Sequence, residues 1–185
     1  MRARWMFLMV AVLGGVQCAP ALAQEPGAVE VGFDAGATIQ FYEGGEDLTL
    51  GWPSSHIGTL PAIRAGLMLG HGSEIESSIG LLHVAQESRS PLTDLTWGVD
   101  YLYNPGAANA GVHPFVRVGT AMSLLSYAGD TRTQFAMGFG GGTRMPIARQ
   151  LAVRLEGAFA YWFENAYFGD HLDGTLTVGL SLFTK

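Results

Sequence analysis

The chain has 185 residues, a formal net charge of −6 and only 14% charged residues, against about 25% in an ordinary soluble domain. With a single lysine, Lys185, and no basic cluster, the composition argues against a nucleic-acid-binding protein. Beyond the N-terminal region there is no run of about 18 uninterrupted apolar residues, so the sequence predicts no transmembrane helix.

The N-terminus has the pattern of a secretory signal peptide. Arg2 and Arg4 precede an apolar run from Trp5 to Val16, and Ala21-Leu22-Ala23 offers a small-residue cleavage site. We expect cleavage after Ala23, with residues 1–23 as the leader and residues 24–185 as one exported domain. The only cysteine lies in the leader, so that domain is predicted to contain no disulfide.

The rest of the chain alternates between apolar and polar residues with a period of two. Since a strand directs successive side chains to opposite faces, each alternating stretch predicts a ribbon with one apolar face. Such ribbons are longer than the ~5–6 residues of a soluble strand and reach the ~9–11 that a tilted membrane strand needs. In chain order the predicted strands are Val29–Phe41, Ile57–Leu69, Glu74–Val84, Leu92–Tyr103, His113–Tyr127, Thr131–Met145, Leu151–Phe163 and Leu172–Leu182.

The connections between these stretches are short, with one exception. Residues Glu43–Ser55 are polar and predict the longest loop, whereas Gly70-His71-Gly72 and Asn104–Gly111 have turn compositions. Pro61 weakens the second strand because proline cannot donate to a ladder. No helical period of comparable strength occurs. The sequence therefore predicts an all-β, eight-stranded antiparallel up-and-down barrel, whose closure removes exposed sheet edges.

Alternation alone does not say which face of the barrel is outside, because a secreted lipocalin-like barrel has the same period with the faces exchanged. The polar phase is mostly Gly, Ala, Ser and Thr with scattered charges and no lysine, whereas a water-facing surface carries ~25–35% charge. An eight-stranded interior has room for small residues and a few paired charges. We therefore expect the apolar phase to face lipid, in a transmembrane barrel. Aromatic residues at strand ends suggest interfacial girdles: Phe41, Tyr101, Tyr103, Tyr127, Phe135, Tyr161 and Phe163.

Three segments, HPFVRVGTAM at His113–Met122, LAVRLEGAFAYW at Leu151–Trp162 and TLTVGLSLF at Thr175–Phe183, resemble strands of the small eight-stranded outer-membrane barrels of the OmpA/OmpX type. The resemblance covers essentially the whole exported length. It implies a Gram-negative cell outer membrane reached by Sec export, contact with membrane lipid and lipopolysaccharide, and assembly by periplasmic chaperones and the barrel-assembly machinery. One departure concerns the end of the chain. Family members usually end on an aromatic residue in the apolar phase, but here Phe183 is out of phase with Leu182 and is followed by Thr184-Lys185.

Inward-facing charges are the most informative polar residues of the predicted barrel. Because an unpaired buried charge costs several kcal/mol, opposite signs should be interleaved. We predict pairs between Asp100 and Arg117, between Arg64 and either Glu76 or Asp34, and between Glu156 and either Arg154 or Arg144. The expected interior ion-pair network comprises Asp34, Arg64, Glu76, Asp100, Arg117, Arg144, Arg154 and Glu156. Such a network predicts a side-chain-plugged core with a structural or surface-interaction role, and a narrow gated pore is an alternative.

Catalytic and metal-binding patterns are weak. The five histidines lack metal-ligand spacing, so we expect neither a metal nor another cofactor. His71-Gly72-Ser73 resembles the H-x-S pair of outer-membrane lipid A deacylases, but it lies in a predicted turn. The Gly-rich segment Gly138–Arg144 matches neither dinucleotide nor P-loop spacing. We therefore expect a non-enzyme, with a lipid A-modifying enzyme as a further alternative, and any surface partner would meet the exposed loops.

Overall fold

The computed structural model describes residues 26–42, 45–51, 63–86, 89–105, 111–164 and 169–184. The predicted signal peptide and Pro61 lie outside these ranges. The described part of the chain contains nine strands: β1 Val29–Tyr42, β2 Gly45–Gly51, β3 Ile63–Gly70, β4 Ser73–Gln86, β5 Arg89–Tyr103, β6 His113–Tyr127, β7 Asp130–Ala148, β8 Leu151–Trp162 and β9 His171–Phe183.

Antiparallel pairing joins the strands into a closed barrel with eight positions around its circumference. Strands β3 to β9 pair in sequence order, and β9 returns to β1 from Phe183 opposite Glu30 up to Leu172 opposite Phe41. Strands β2 and β3 share the eighth position. Strand β3 pairs with the first part of β1, residues Val29–Phe33, and β2 pairs with its second part, residues Gly36–Tyr42. The predicted eight-stranded up-and-down barrel is confirmed.

Strand β2 corrects one prediction, since Gly45–Gly51 lies inside the segment predicted as the longest loop. The sequence GEDLTLG alternates Leu48 and Leu50 with Asp47 and Thr49, and β1 offers its free edge as far as Tyr42. A ladder of backbone hydrogen bonds therefore outweighs the polar composition that suggested a loop. The second predicted strand, Ile57–Leu69, is confirmed from Ile63 onward, and residues 57–62 lie outside the described ranges.

Two short turns at opposite ends of the barrel use backbone conformations with positive φ. His71-Gly72 joins β3 to β4 with φ of 54° and 78°, and Ala128-Gly129 joins β6 to β7 with φ of 53° and 87°. Positive φ at both central residues matches the right-handed twist of a hairpin, and glycine adopts it without a Cβ penalty. We call the end with Val29 and Phe183 the terminal end and the opposite end, with Ala128-Gly129, the distal end.

The two phases of the strands separate as predicted. Most large apolar residues of the outward phase are 37–64% exposed, whereas inward residues of β8 such as Ala152, Ala158 and Ala160 are at most 2% exposed. The predicted girdle residues are all on the outer surface, with Tyr101 and Tyr103 near the terminal end. This exterior of aliphatic and aromatic side chains suits lipid, and the β1–β9 ladder closes the barrel.

Candidate functional site

All eight charged residues predicted for the interior lie inside the barrel, with exposures of 0–9%. They extend from the terminal end to about half the height of the barrel. Alternation alone places them there, because each belongs to the inward phase of its strand. The carboxylates Glu30 and Glu74 join them, both fully buried.

Arg64 on β3 binds side chains on the strands β1 and β9. Its guanidinium donates to Asp34 at 2.9 Å, to Ser181 at 2.8 Å and to Glu30, and it lies 3.3 Å from Glu76. Gly32, opposite Arg64 in the β1–β3 ladder, leaves the space for this side chain, because a Cβ there would overlap the guanidinium. Both predicted partners of Arg64 are thus within reach.

Arg154 on β8 and Arg117 on β6 share the carboxylate of Glu156. Arg154 contacts Glu76 at 2.6 Å and Glu156 at 2.5 Å, and Arg117 contacts Glu156 at 2.5 Å and Asp100 at 3.0 Å. Strands β4 and β8 are four positions apart around the barrel, so the Arg154–Glu76 pair joins opposite walls.

Of the two arginines predicted as alternative partners of Glu156, Arg154 contacts it and Arg144 binds elsewhere. It binds Glu30 at 2.8 Å, Glu74 at 2.7 Å and the side chain of Asn104 at 2.6 Å. Arg144 stands directly opposite Arg154 in the β7–β8 ladder, and like charges in register repel. The two guanidiniums lie against the ring of Phe115, 4.8 and 4.4 Å from its centroid, and Arg144 turns towards the terminal end.

Glu30 and Glu74 were not predicted as members of the network, although both occupy the inward phase. The predicted set held four arginines and four carboxylates, so its charges were already balanced. Charge pairing alone therefore did not predict further acidic residues. With Glu30 and Glu74 the interior cluster has six carboxylates for four arginines. Carboxylate oxygens of Glu30, Glu74 and Glu76 lie within 4.8 Å of one another, close enough for a cation. Each of the three already pairs with at least one arginine.

The distal half of the interior is less charged. Asp94 is fully buried and accepts hydrogen bonds from Ser123 at 2.5 Å and Thr96 at 3.3 Å, and the described side chains give it no ion pair. Asp173 is also fully buried, and the ring of His171 stacks on that of Trp162 at 6.2 Å. Between these residues and the arginines the inward positions are small, including Ala121, Ala136, Ala158 and Ala160.

Phe183 closes the terminal end from inside. It is 4% exposed and packs with Ala28, Met68 and Ala152. Its backbone N–H donates to Gln150 and the N–H of Thr184 donates to Val29, so the last strand is held on both sides. The out-of-phase aromatic residue is therefore part of the interior, and Leu182, which is 51% exposed, ends the outward phase.

A family model described as "Outer membrane protein beta-barrel domain" matches residues 8–182 of this sequence. The chain belongs to this family. As a member, it is an outer-membrane β-barrel protein, located in the outer membrane. Among the described residues no helix is long and apolar enough to cross a membrane.

Solved structures of similar fold are small outer-membrane proteins. Neisserial surface protein A matches with a TM-score of 0.61 and 14% identity over 84% of this chain and 98% of its own. OprG from Pseudomonas aeruginosa matches with 0.53 and 10% identity, covering 86% and 96%. AlkL, solved in lipid bilayers, matches with 0.51 and 13% identity, covering 92% and 95%. No curated protein sequence matches this chain. Identities this low establish the shared fold alone.

In this outer-membrane barrel no described histidine is hydrogen-bonded to a serine. His71 lies in the β3–β4 turn at the terminal end, and the neighbouring Ser73 hydroxyl is hydrogen-bonded to Tyr101 at 2.8 Å. His83 faces outward and bonds Thr93 at 2.8 Å. His113 and His171 begin β6 and β9 and point inward, and His56 lies outside the described ranges.

Proposed function

We propose that this protein is a non-enzymatic outer-membrane barrel with a lumen closed by ion pairs, serving a structural or surface-interaction role. The observation that carries the proposal is the 2.6 Å contact between Arg154 on β8 and Glu76 on the opposite strand β4. Contacts of Arg144 with Glu30 and Glu74 also cross the lumen, three positions around the barrel. An eight-stranded barrel is narrow enough for such side chains to fill it.

Buried opposite charges of this kind favour a fixed register over a water-filled path. Each arginine of the cluster contacts two or more carboxylates from different strands, so a shift of one strand would separate several pairs at once. A one-residue slip also exchanges the faces of a strand and would place these charges in lipid. The network therefore supports a rigid barrel that holds the exposed connections between its strands.

Single-channel recording in planar lipid bilayers tests this proposal. The refolded protein, shown to be folded by its faster migration in unheated SDS gels, should give no steady conductance. The double variant Arg144→Ala/Arg154→Ala removes two side chains that span the lumen and should open small, ohmic events. A steady conductance of the unsubstituted protein would replace the proposal with the narrow-pore alternative.

Lipid A analysis tests the enzymatic alternative. Mass spectrometry of lipid A incubated with the folded protein should show no change in acylation. An acyl loss that requires His71, His83 or Ser73 would overturn the non-enzymatic proposal. We further propose assembly by periplasmic chaperones and the barrel-assembly machinery, and contact of any surface partner with the distal end, where β2 and the acidic residues Glu164 and Asp170 lie.

A further inference from the structure

The outer wall of the barrel has a depression of about 560 Å³ across four neighbouring strands, β7, β8, β9 and β1. Two ladder rows form it. In one row Gly141, Gly157, Leu176 and Ala37 stand side by side, and in the next Thr143, Leu155, Val178 and Ala35. Gly157 and Ala37 stand on either side of Leu176, and Ala35 stands beside Val178, so the wall recedes there. We call this depression the outer groove.

Larger side chains bound the outer groove at both ends. Towards the distal end lie Phe139 and Phe159, with ring centroids 5.8 Å apart, and Phe159 also covers Gly174. Towards the terminal end the next row is Met145, Val153, Leu180 and Phe33. The groove is therefore a bounded site on the lipid-facing surface rather than a general flattening of the wall.

The groove offers almost only apolar contact. The β7–β8, β8–β9 and β9–β1 ladders run unbroken through the groove, so its described floor presents no backbone donor or acceptor between these strands to a polypeptide edge. Its outward side chains are aliphatic apart from the Thr143 hydroxyl. An occupant must therefore be held by dispersion and shape, which suits an alkyl chain in a wall that already faces the bilayer.

Charges at the two ends of the barrel indicate from which side an alkyl chain would enter the groove. Arg149 is exposed in the β7–β8 turn at the terminal end, whereas Glu164 and Asp170 are exposed at the distal ends of β8 and β9. An anionic headgroup is attracted at the first end and repelled at the second. From Leu151 to Gly157 the strand rises about 20 Å at ~3.3 Å per residue, or roughly 14 Å along the membrane normal at a ~45° tilt, within one leaflet.

We propose that the outer groove binds an acyl chain of an anionic phospholipid from the leaflet at the terminal end, with its headgroup at Arg149. The site depends on the outer-membrane location of the barrel and not on whether its lumen conducts. Photolabelling tests it, using phosphatidylglycerol with a diazirine midway along one acyl chain, in vesicles containing the folded protein. Adducts mapped by mass spectrometry should concentrate on the segments around Ala35, Leu155 and Leu176 rather than on Val116 and Val118 of β6.

Gly157→Leu is the decisive variant. A Cβ at Gly157 would meet nothing nearer than the carbonyl of Thr175 at 3.9 Å, so leucine can fill the groove without displacing the backbone. Labelling of the groove should fall several-fold, while the control Val118→Leu, on an exposed position of β6 outside the groove, leaves it unchanged. If Gly157→Leu does not fold, Ala37→Leu serves the same purpose from β1.

Three outcomes would overturn the proposal. Uniform labelling around the barrel, or groove labelling unaffected by both leucine variants, would mean that no chain is held there. A dimer that dissociates in Gly157→Leu would assign the groove to a second copy of the chain. Arg149→Gln should remove the preference for phosphatidylglycerol over an equally labelled phosphatidylethanolamine, and equal labelling by both lipids in the unsubstituted protein would overturn the headgroup assignment.

Discussion

Removing Arg154 is expected to destabilise the barrel strongly. The side chain is 1% exposed and pairs with Glu76 and Glu156, with Glu30 at 3.6 Å and Phe115 under its guanidinium. Arg154→Met keeps much of the length and the apolar packing but leaves six carboxylates with three arginines. Breaking a buried ion pair by deleting one partner costs about 3–5 kcal/mol, because the remaining charge stays buried without compensation.

The loss is measurable by urea unfolding of the protein refolded in phospholipid vesicles, followed by tryptophan fluorescence. With a denaturant slope of about 2 kcal/mol/M, a loss of 3–5 kcal/mol lowers the midpoint by roughly 2 M. Arg149→Met is the matched control in vesicles of zwitterionic phosphatidylcholine, which offer Arg149 no anionic headgroup. Because Arg149 is exposed in a turn, the effect should stay within about 0.5 kcal/mol. Adding Glu76→Gln to Arg154→Met should recover part of the loss, because one of the uncompensated charges disappears.

Equal midpoints for Arg154→Met and Arg149→Met would refute this reasoning. Such a result would mean that water solvates the carboxylates as well as the guanidinium does. The lumen would then be hydrated, which agrees with a pore and not with a closed interior.

Three further predictions concern other parts of the barrel. Phe183→Ala should cost about 3–5 kcal/mol in the same unfolding assay, because it empties the packed terminal end, and a loss under about 1 kcal/mol would contradict the inward placement. Asp94→Asn should leave stability unchanged or raise it, since no described side chain forms an ion pair with Asp94, whereas Asp100→Asn weakens the contact with Arg117 and should lower it. Bromine-labelled phospholipids should quench the fluorescence of Trp97, which is 49% exposed on the outer surface, but not that of the fully buried Trp162. Quenching should therefore fall in Trp97→Phe and persist in Trp162→Phe.

Most of the fold could be predicted from the sequence because the period of two is a local property. This period determines which residues of a strand share a face. The lack of lysine and the scarcity of charge in the polar phase indicate that the polar face is not the one exposed to water. Strand ends were less predictable. Strand β2 has a loop-like composition, and only the exposed edge of β1 beyond Phe33 explains why GEDLTLG is a strand.

The sequence by itself determined that a set of acidic and basic residues shares the inward phase of the strands. Which of them meet was decided by the tertiary structure, since pairing depends on register, on curvature and on the reach of side chains across the lumen. Arg144 pairs with Glu74 because Arg154 stands opposite it in the ladder, and both guanidiniums lie against the ring of Phe115. The outer groove likewise exists only in the assembled wall, where closure of the barrel brings β1, with Ala35, beside β9 and so next to Gly157 on β8 and Gly141 on β7. The sequence of a single strand does not reveal which residues of other strands lie beside it, because that arrangement arises from hydrogen bonds between strands distant in sequence.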